Sequence, residues 1–341
     1  MKDTRKFIAV GENIHCSRIY KVGGSFVKPC ADGAYAIVYS ADGQEQCVPI
    51  PQHILESEAW AKGKVKHAAV AMWQGFYGDE AAKHAGIAYL EHMARIQESC
   101  GASFLDVNVD EFSNDLDERV RLMQWVVGVL QNTSSIPLSI DSSDLNILQA
   151  GLEACDPSRG RPMVNSVSLE RAAAIEIAHE KGAVVIAGAT GESSMPQNVE
   201  ERVQNLKLLV KKLHEAGFED EEIYLDPLVF PASVDSNNGK MILEAIKILR
   251  QTYGEAIHFA PGLSNVSYGL PNRRLLNQVF TYLCVEQSCD GGIVDPRQIN
   301  DDILNSLDTT TNAFQLAKAF LVGEDEYGMN YIRAVRKGKI Q

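Results

Sequence analysis

Residues 261–274 read PGLSNVSYGLPNRR. A short apolar run, Ile257-His258-Phe259-Ala260, precedes them, and an apolar-periodic run over 275–286 follows. Strand, Gly/Ser/Asn-rich loop, helix is the order in which α/β enzymes present polar groups at the C-terminal edge of a sheet. Gly262 and Gly269 give this loop backbone freedom, and one amide, Asn265, stands between Ser264 and Ser267. A plain chain reversal needs fewer such residues. The mixture suits close contact with a polar ring.

Working outward, the same unit recurs. Short apolar runs at 7–10, 104–107, 137–140, 163–164, 184–187, 223–225, 257–260 and 293–294 read as eight strands. Helical patterns lie at 79–99, 115–131, 143–154, 169–181, 199–216, 239–252, 275–286 and 301–321. A glycine or proline announces many strand starts: Gly101, Pro137, Gly182, Gly217 and Gly254. Near-continuous apolar strands alternating with amphipathic helices imply a parallel sheet covered on its faces. Eight such units imply a (β/α)8 TIM barrel, a fold of about 250 residues. The chain has 341, and the excess falls mostly at about 17–78, after the first strand. There, runs at 35–40 and 44–50 flank Ala41-Asp42-Gly43, a hairpin signal, and a short helix is expected at 55–62. This insertion is either rim decoration or a lid or docking element. A doubly wound sheet would want a Gly-rich phosphate loop after the first strand, and Gly11-Glu12-Asn13-Ile14-His15 is not one.

Composition narrows the function. The net charge of −13 argues against nucleic acid and anionic membranes as partners. Seven cysteines without a CxxC pair read as free thiols, which suits the cytoplasm. No apolar stretch is long enough for a signal core or a membrane span.

Chemistry collects at the strand ends. They read Glu12-Asn13, Asp106-Val107-Asn108, Asp141-Ser142-Ser143, Asn165-Ser166, Asp226-Pro227, the loop with Asn265, and Asp295-Pro296. In a barrel these ends face one site. Helix capping is the plain alternative. It is the expected role of Asp115 and Asp301, a competitor for Asp141, and poorly suited to Asp226, which Pro227 follows. Asp106 and Asn108, two apart on a strand, point the same way. The eight histidines show no HxH or HExxH spacing, so no metal is expected. Amides beside carboxylates suit a neutral heterocycle: a carboxylate accepts two parallel N–H donors, and an amide serves a mixed edge. No His or Cys is placed as an evident nucleophile, the adjacent His15-Cys16 included.

With these residues laid out, the chain resembles the pterin-binding methyltransferases: methyltetrahydrofolate–corrinoid/iron–sulfur protein methyltransferase and the folate domain of cobalamin-dependent methionine synthase. The motifs are VGEN at 10–13, LDVN at 105–108, IDSS at 140–143, VNSVS at 164–168, YLDPLVFPAS at 224–233 and GLSNVSYGLPNRRLLN at 262–277. The resemblance covers the chain apart from the insertion. It implies a single pterin-binding barrel domain over 1–341 and commonly a homodimer. It implies that Asp141, Asn165 and Asp226 hydrogen-bond the pterin. Asn265 would sit at N5, Asp106 and Asn108 would line the pocket, and Arg273 would lie near the ring. The implied reaction moves a methyl group between N5 of tetrahydrofolate (as 5-methyltetrahydrofolate) and the cobalt of a corrinoid. No D-x-H-x-x-G corrinoid signature occurs, so the cobalamin would arrive on a separate corrinoid protein. Asn265, Asp141 and Asp226 are the expected catalytic set. Three departures stand out: GEN replaces a GER-type start with His15 where Asn is usual, Tyr268 occupies a variable loop position, and the insertion has no counterpart in compact members. The rivals are a dihydropteroate synthase-like enzyme, whose TPDSF-type loop is missing, a non-catalytic pterin-binding accessory protein, and a generic metal-dependent barrel hydrolase.

Overall fold

The computed structural model describes residues 6–30 and 33–340. Eight strands form one sheet: β1 (Ile8–His15), β2 (Ala102–Asn108), β3 (Leu138–Asp141), β4 (Met163–Val167), β5 (Val184–Gly188), β6 (Ile223–Asp226), β7 (His258–Phe259) and β8 (Gly291–Val294). The sheet order runs from β7 down through β6, β5, β4, β3 and β2 to β1, and then to β8. Each strand therefore lies beside its neighbour in sequence, and β8 returns to β1 in parallel register, Ile8 opposite Gly291. The Ile293 N–H donates to the Pro261 carbonyl, just past β7, at 2.9 Å. That bond ties the two ends of the order together. This is the expected (β/α)8 barrel.

Eight main helices follow the strands: α1 (Glu80–Ser99), α2 (Leu116–Gln131), α3 (Leu145–Ala154), α4 (Ala173–Glu180), α5 (Val199–Glu215), α6 (Asn238–Tyr253), α7 (Arg273–Val285) and α8 (Asn312–Leu321). Local chemistry sets their bounds. Asp115 caps α2 by accepting the Glu118 N–H at 3.2 Å, as expected. The expected single helix over 301–321 is broken in two, because Asp308 accepts the Thr310 N–H and hydroxyl and Thr311 caps a fresh start. Asp301 is not a cap. Asn300 takes that place, and the Asp301 carboxylate receives the Phe7 N–H at 3.0 Å, pinning the entry to β1.

The chain packs as two compact units. One comprises Met1–Gly11, Cys100–Phe104 and Met163–Gln341; the other Glu12–Ser99 and Leu105–Pro162. In the first, Val10, Phe104, Met163, Val184, Ile186, Tyr224 and Ala260 form a buried cluster of inward strand residues. Beside it, Asp290 accepts the Phe259 N–H (2.9 Å) and contacts His258 (2.7 Å) and Arg250 (3.1 Å).

The second unit contains the insertion. The hairpin is present, Tyr35–Ala41 with Gln44–Pro49, and Asp42 and Gly43 both take positive φ, as a tight two-residue turn demands. A third strand, Val27–Pro29, pairs with it, and Ile19–Lys21 pairs with Lys64–Lys66. The expected helix over 55–62 is two short turns, Gln52–Leu55 and Glu58–Ala61, because Ser57 caps a restart by accepting the Trp60 N–H. Tyr39 of the hairpin packs edge-on against Tyr89 of α1. An unforeseen helix, His67–Tyr77, lies against α1.

Candidate active site

In the first unit, β6 ends at Asp226, half-buried. Its carboxylate accepts the Leu228 N–H at 2.8 Å and a second N–H from Gly262. Burial pushes its pKa up to about 6, against the lowering pull of those two N–H groups and of Arg202. Leu228 holds a positive φ of 61°, so the chain turns sharply behind the carboxylate. Asp226 caps nothing, since the next helix starts at Asn238.

The Gly262 contact brings Asp226 against the loop of residues 262–269. Leu263–Ser267 form a 3₁₀ turn in which Leu263, Ser264, Val266 and Ser267 are buried. Asn265 alone in that turn is exposed. A Cβ on Gly262 would stand 2.9 Å from Asn265 Nδ2, so glycine leaves room for the amide. Arg273 braces this loop from below: Nε donates to Ser267 Oγ at 3.0 Å and Nη2 to the Ser264 carbonyl at 2.9 Å. Asn165, half-buried, stands in β4 opposite Ile186 of β5. The register slips there, so that Ala187 faces Val167, and such a bulge re-aims side chains.

In the second unit, Asp106, Asn108 and Asp141 come together at the ends of β2 and β3, Asn108 opposite Asp141. Asp106 is buried and accepts the Ser139 hydroxyl at 2.7 Å. Asn108, also buried, accepts the Asp110 N–H at 3.0 Å and lies 3.4 Å from Cys16 Sγ. Asp141 is half-buried, 3.5 Å from His15 Nε2. Capping of α3 falls to Asp144, which accepts the Asn146 N–H at 2.8 Å, so Asp141 is left for other work. The Ser17 N–H donates to His15 Nδ1 at 3.1 Å, which makes that nitrogen an acceptor and puts the ring proton on Nε2, towards Asp141. Burial opposes a charge on this imidazole, while Asp141 and Cys16 favour one. The backbone N–H on Nδ1 occupies the site of the second proton, so we assign the neutral ring.

Two strand-end carboxylates are committed locally. Glu12 pairs with Arg18 at 2.6 Å, and Asp295 with Arg297 at 2.9 Å. Among the described residues no group of three or more His, Cys, Asp or Glu could hold a metal ion. Sequence reasoning missed Arg202, buried completely in α5, with a guanidinium that donates to the Leu228 carbonyl two residues past Asp226. Its signal was an arginine four residues before Leu206 on the apolar stripe of that helix.

A family model described as pterin binding enzyme matches residues 80–295, more than half of the chain. The chain belongs to the pterin-binding enzymes. Among relatives of this pterin-binding enzyme, a methylcorrinoid:tetrahydrofolate methyltransferase from Eubacterium limosum is 27% identical over 258 residues, 74% of this chain and 89% of that one. Methionine synthase from Mycobacterium leprae is 31% identical over 222 residues, 61% of this chain but 18% of the relative, so only a portion of that larger protein is matched. These relatives are methyltransferases. Among solved structures, a Xanthomonas albilineans dihydropteroate synthase superposes with a TM-score of 0.52 at 18% identity, covering 71% of this chain and 88% of that one. A dihydropteroate synthetase gives 0.51 at 16%, covering 70% and 89%. At such identities the likeness is one of fold.

Proposed function

We propose that this pterin-binding enzyme transfers a methyl group between N5 of tetrahydrofolate and the cobalt of a corrinoid carried on a separate protein. The observation that carries the reading is the pairing of half-buried Asp226 with the Asn265 loop through the Gly262 N–H. The Eubacterium limosum relative, matched over most of both chains, supports the substrate class.

Asp226 is the carboxylate for the pterin's paired N–H donors, as it holds no cation of its own at hydrogen-bond distance and is anchored by two backbone N–H groups. The motif resemblance also assigns Asp141 and Asn165 to the pterin ring and Asp106 and Asn108 to the pocket lining. Asn265 is the group at N5. When tetrahydrofolate is the acceptor, the N5 lone pair forms the new N–C bond. The Co–C bond breaks with its pair on cobalt, and N5 gives up a proton to solvent. In reverse, N5 keeps the C–N pair and must gain a proton. Either way charge changes at N5, and a fixed amide there stabilises the transition state more than the ground state. Asn265 orients that proton but does not supply it. Arg273 acts by bracing the loop that presents Asn265. A homodimer in a reducing cytoplasm belongs to the same proposal, in keeping with seven free cysteines; light scattering tests the mass.

The deciding experiment mixes the purified protein with methylcobalamin and tetrahydrofolate and follows the corrinoid spectrum. Loss of the methylcobalamin bands with formation of methyltetrahydrofolate is expected. Folate binding without exchange, even with candidate corrinoid proteins supplied, would leave a binding-only protein. Absence of folate binding would overturn the site.

A further inference from the structure

Among the described residues Arg202 is the largest fully buried side chain, in the first turn and a half of α5. A buried guanidinium is costly unless its donors and charge are met. Its donors are met by carbonyls: Nη1 donates to Pro196 O (3.4 Å) and Asn198 O (3.1 Å), and Nη2 to Leu228 O at 3.5 Å. Nε has no hydrogen-bond partner. The guanidinium also stacks over the Phe230 ring, 4.9 Å from its centroid. Both the Leu228 and Phe230 contacts fall on the turn over residues 226–230, which starts at Asp226, the last residue of β6. Carbonyls and a ring leave the positive charge without an anion in contact. The carboxylates whose charge it feels are Asp226 and its own neighbour Glu201.

We infer that Arg202 is a positioning residue for Asp226, fixing the turn from Asp226 to Phe230 and supplying the buried positive charge that keeps Asp226 a carboxylate. The inference rests on the proposed role of Asp226 in binding the pterin. The groups facing Asp226 are few. Leu228 and Gly262 offer N–H groups, Arg202 offers the cation, and Cys289 a thiol whose burial keeps it neutral. Arg202 is thus the one full positive charge in this set. The carboxylate is poised: burial favours its protonated form, and the cation opposes that. Remove the cation, and the carboxylate ionises only at higher pH, so a larger share of the protein lacks the acceptor for the pterin's N–H donors, most of all on the acid side.

The test is calorimetric titration of tetrahydrofolate from pH 5 to 8 into wild type, Arg202→Met, Arg202→Gln and Arg202→Lys, each checked for folding by circular dichroism. Arg202→Gln keeps donors for the carbonyls without the charge and serves if the Met variant does not fold. Wild-type affinity should fall on the acid side with a midpoint near 6. The uncharged variants should move that midpoint up by about one unit, weakening binding about twofold at pH 7 and nearly tenfold at pH 5. Arg202→Lys should keep the wild-type midpoint. In Asp226→Asn the midpoint should vanish, and adding Arg202→Gln should then shift nothing. An unmoved midpoint in folded uncharged variants overturns the inference and leaves the site reading intact. Wild type that binds no tetrahydrofolate at any pH overturns the site reading itself.

Discussion

At the scale of single residues, the site joins groups that work against their own stability. Asp226 has a folded pKa of about 6, above the unfolded value of about 3.9. The sign follows. A raised carboxylate favours the protonated fold, so the fold is most stable, as far as this group decides, below the unfolded value. Stability then declines as pH climbs from about 4 to about 6. At neutrality the ionised group costs on the order of 3 kcal/mol. Asp226→Asn removes that cost and should raise the melting temperature at pH 7 but not at pH 4, while weakening tetrahydrofolate binding by about 1.5–3 kcal/mol. Equal melting shifts at both pH values would contradict this account. Asn265 obeys a different logic. Its amide is exposed on buried shoulders, so Asn265→Ala should lower the methyl-transfer rate more than it weakens folate binding. Gly262→Ala should reproduce part of that loss, because its Cβ would press on the amide. Single-turnover rates beside equilibrium titration decide it; parallel losses in rate and binding would remove Asn265 from N5. Both residues stood out in the sequence as candidates, Asn265 in a Gly-rich loop after an apolar strand and Asp226 at a strand end closed by Pro227. Arg202 did not, because an arginine on an amphipathic helix is read as solvated unless its place on the apolar stripe is weighed.

At the scale of elements, period and turn chemistry carried most of the reading. Asp42-Gly43 announced the hairpin because few other pairs accept two positive φ values in succession. Three-residue strands such as Ile19–Lys21 are too short to leave a periodic trace and were invisible. The helix His67–Tyr77 was invisible for the opposite reason: apolar on most sides, it shows no stripe. Its seat on α1 depends on small residues. A Cβ on Gly86 would lie 2.5 Å from the Ala71 carbonyl oxygen and 2.6 Å from the Gly75 nitrogen, both backbone atoms that cannot swing away. Gly86→Ala should therefore destabilise by about 1–3 kcal/mol through forced separation of the two helices, in spite of alanine's better helix propensity. Urea unfolding measures it, and a stabilised variant would show that the helices part without cost.

At the scale of the whole molecule, the repeating strand–helix rhythm fixed the fold class, but not what closes it. The sheet order returns from β8 to β1, and at that return stands Asp290. Its backbone carbonyl accepts the Ile8 N–H at 2.8 Å, leading into β1. Its carboxylate accepts the Phe259 N–H of β7 and holds His258 and Arg250. Arg250 in turn donates to the carbonyls of Ser288, Gly254 and Ile257. One residue thus fastens the first, seventh and eighth strands, its backbone meeting the first and its carboxylate the seventh, a role that no local pattern around Cys289-Asp290-Gly291 reveals, since its partners lie up to 282 residues away, Ile8 to Asp290. Burial alone would raise its pKa; His258, Arg250 and the Phe259 N–H outweigh burial and hold it below the ordinary carboxylate range. For such a depressed group the contribution is full above the unfolded value near 3.9 and is lost as pH falls from there through the folded value. Asp290→Asn keeps the shape, discards the charge and leaves Arg250 buried without its anion. It should cost about 3–5 kcal/mol at pH 7. The variant should also lose the acid-side decline that this carboxylate gives wild type. Replacing both partners, Asp290→Asn with Arg250→Met, should recover part of the loss, because no buried charge is then left unpaired. Urea unfolding of the three proteins at pH 7 and near pH 4 reads all of this. A single variant within about 0.5 kcal/mol of wild type would mean that the ring is closed by backbone pairing and apolar burial alone.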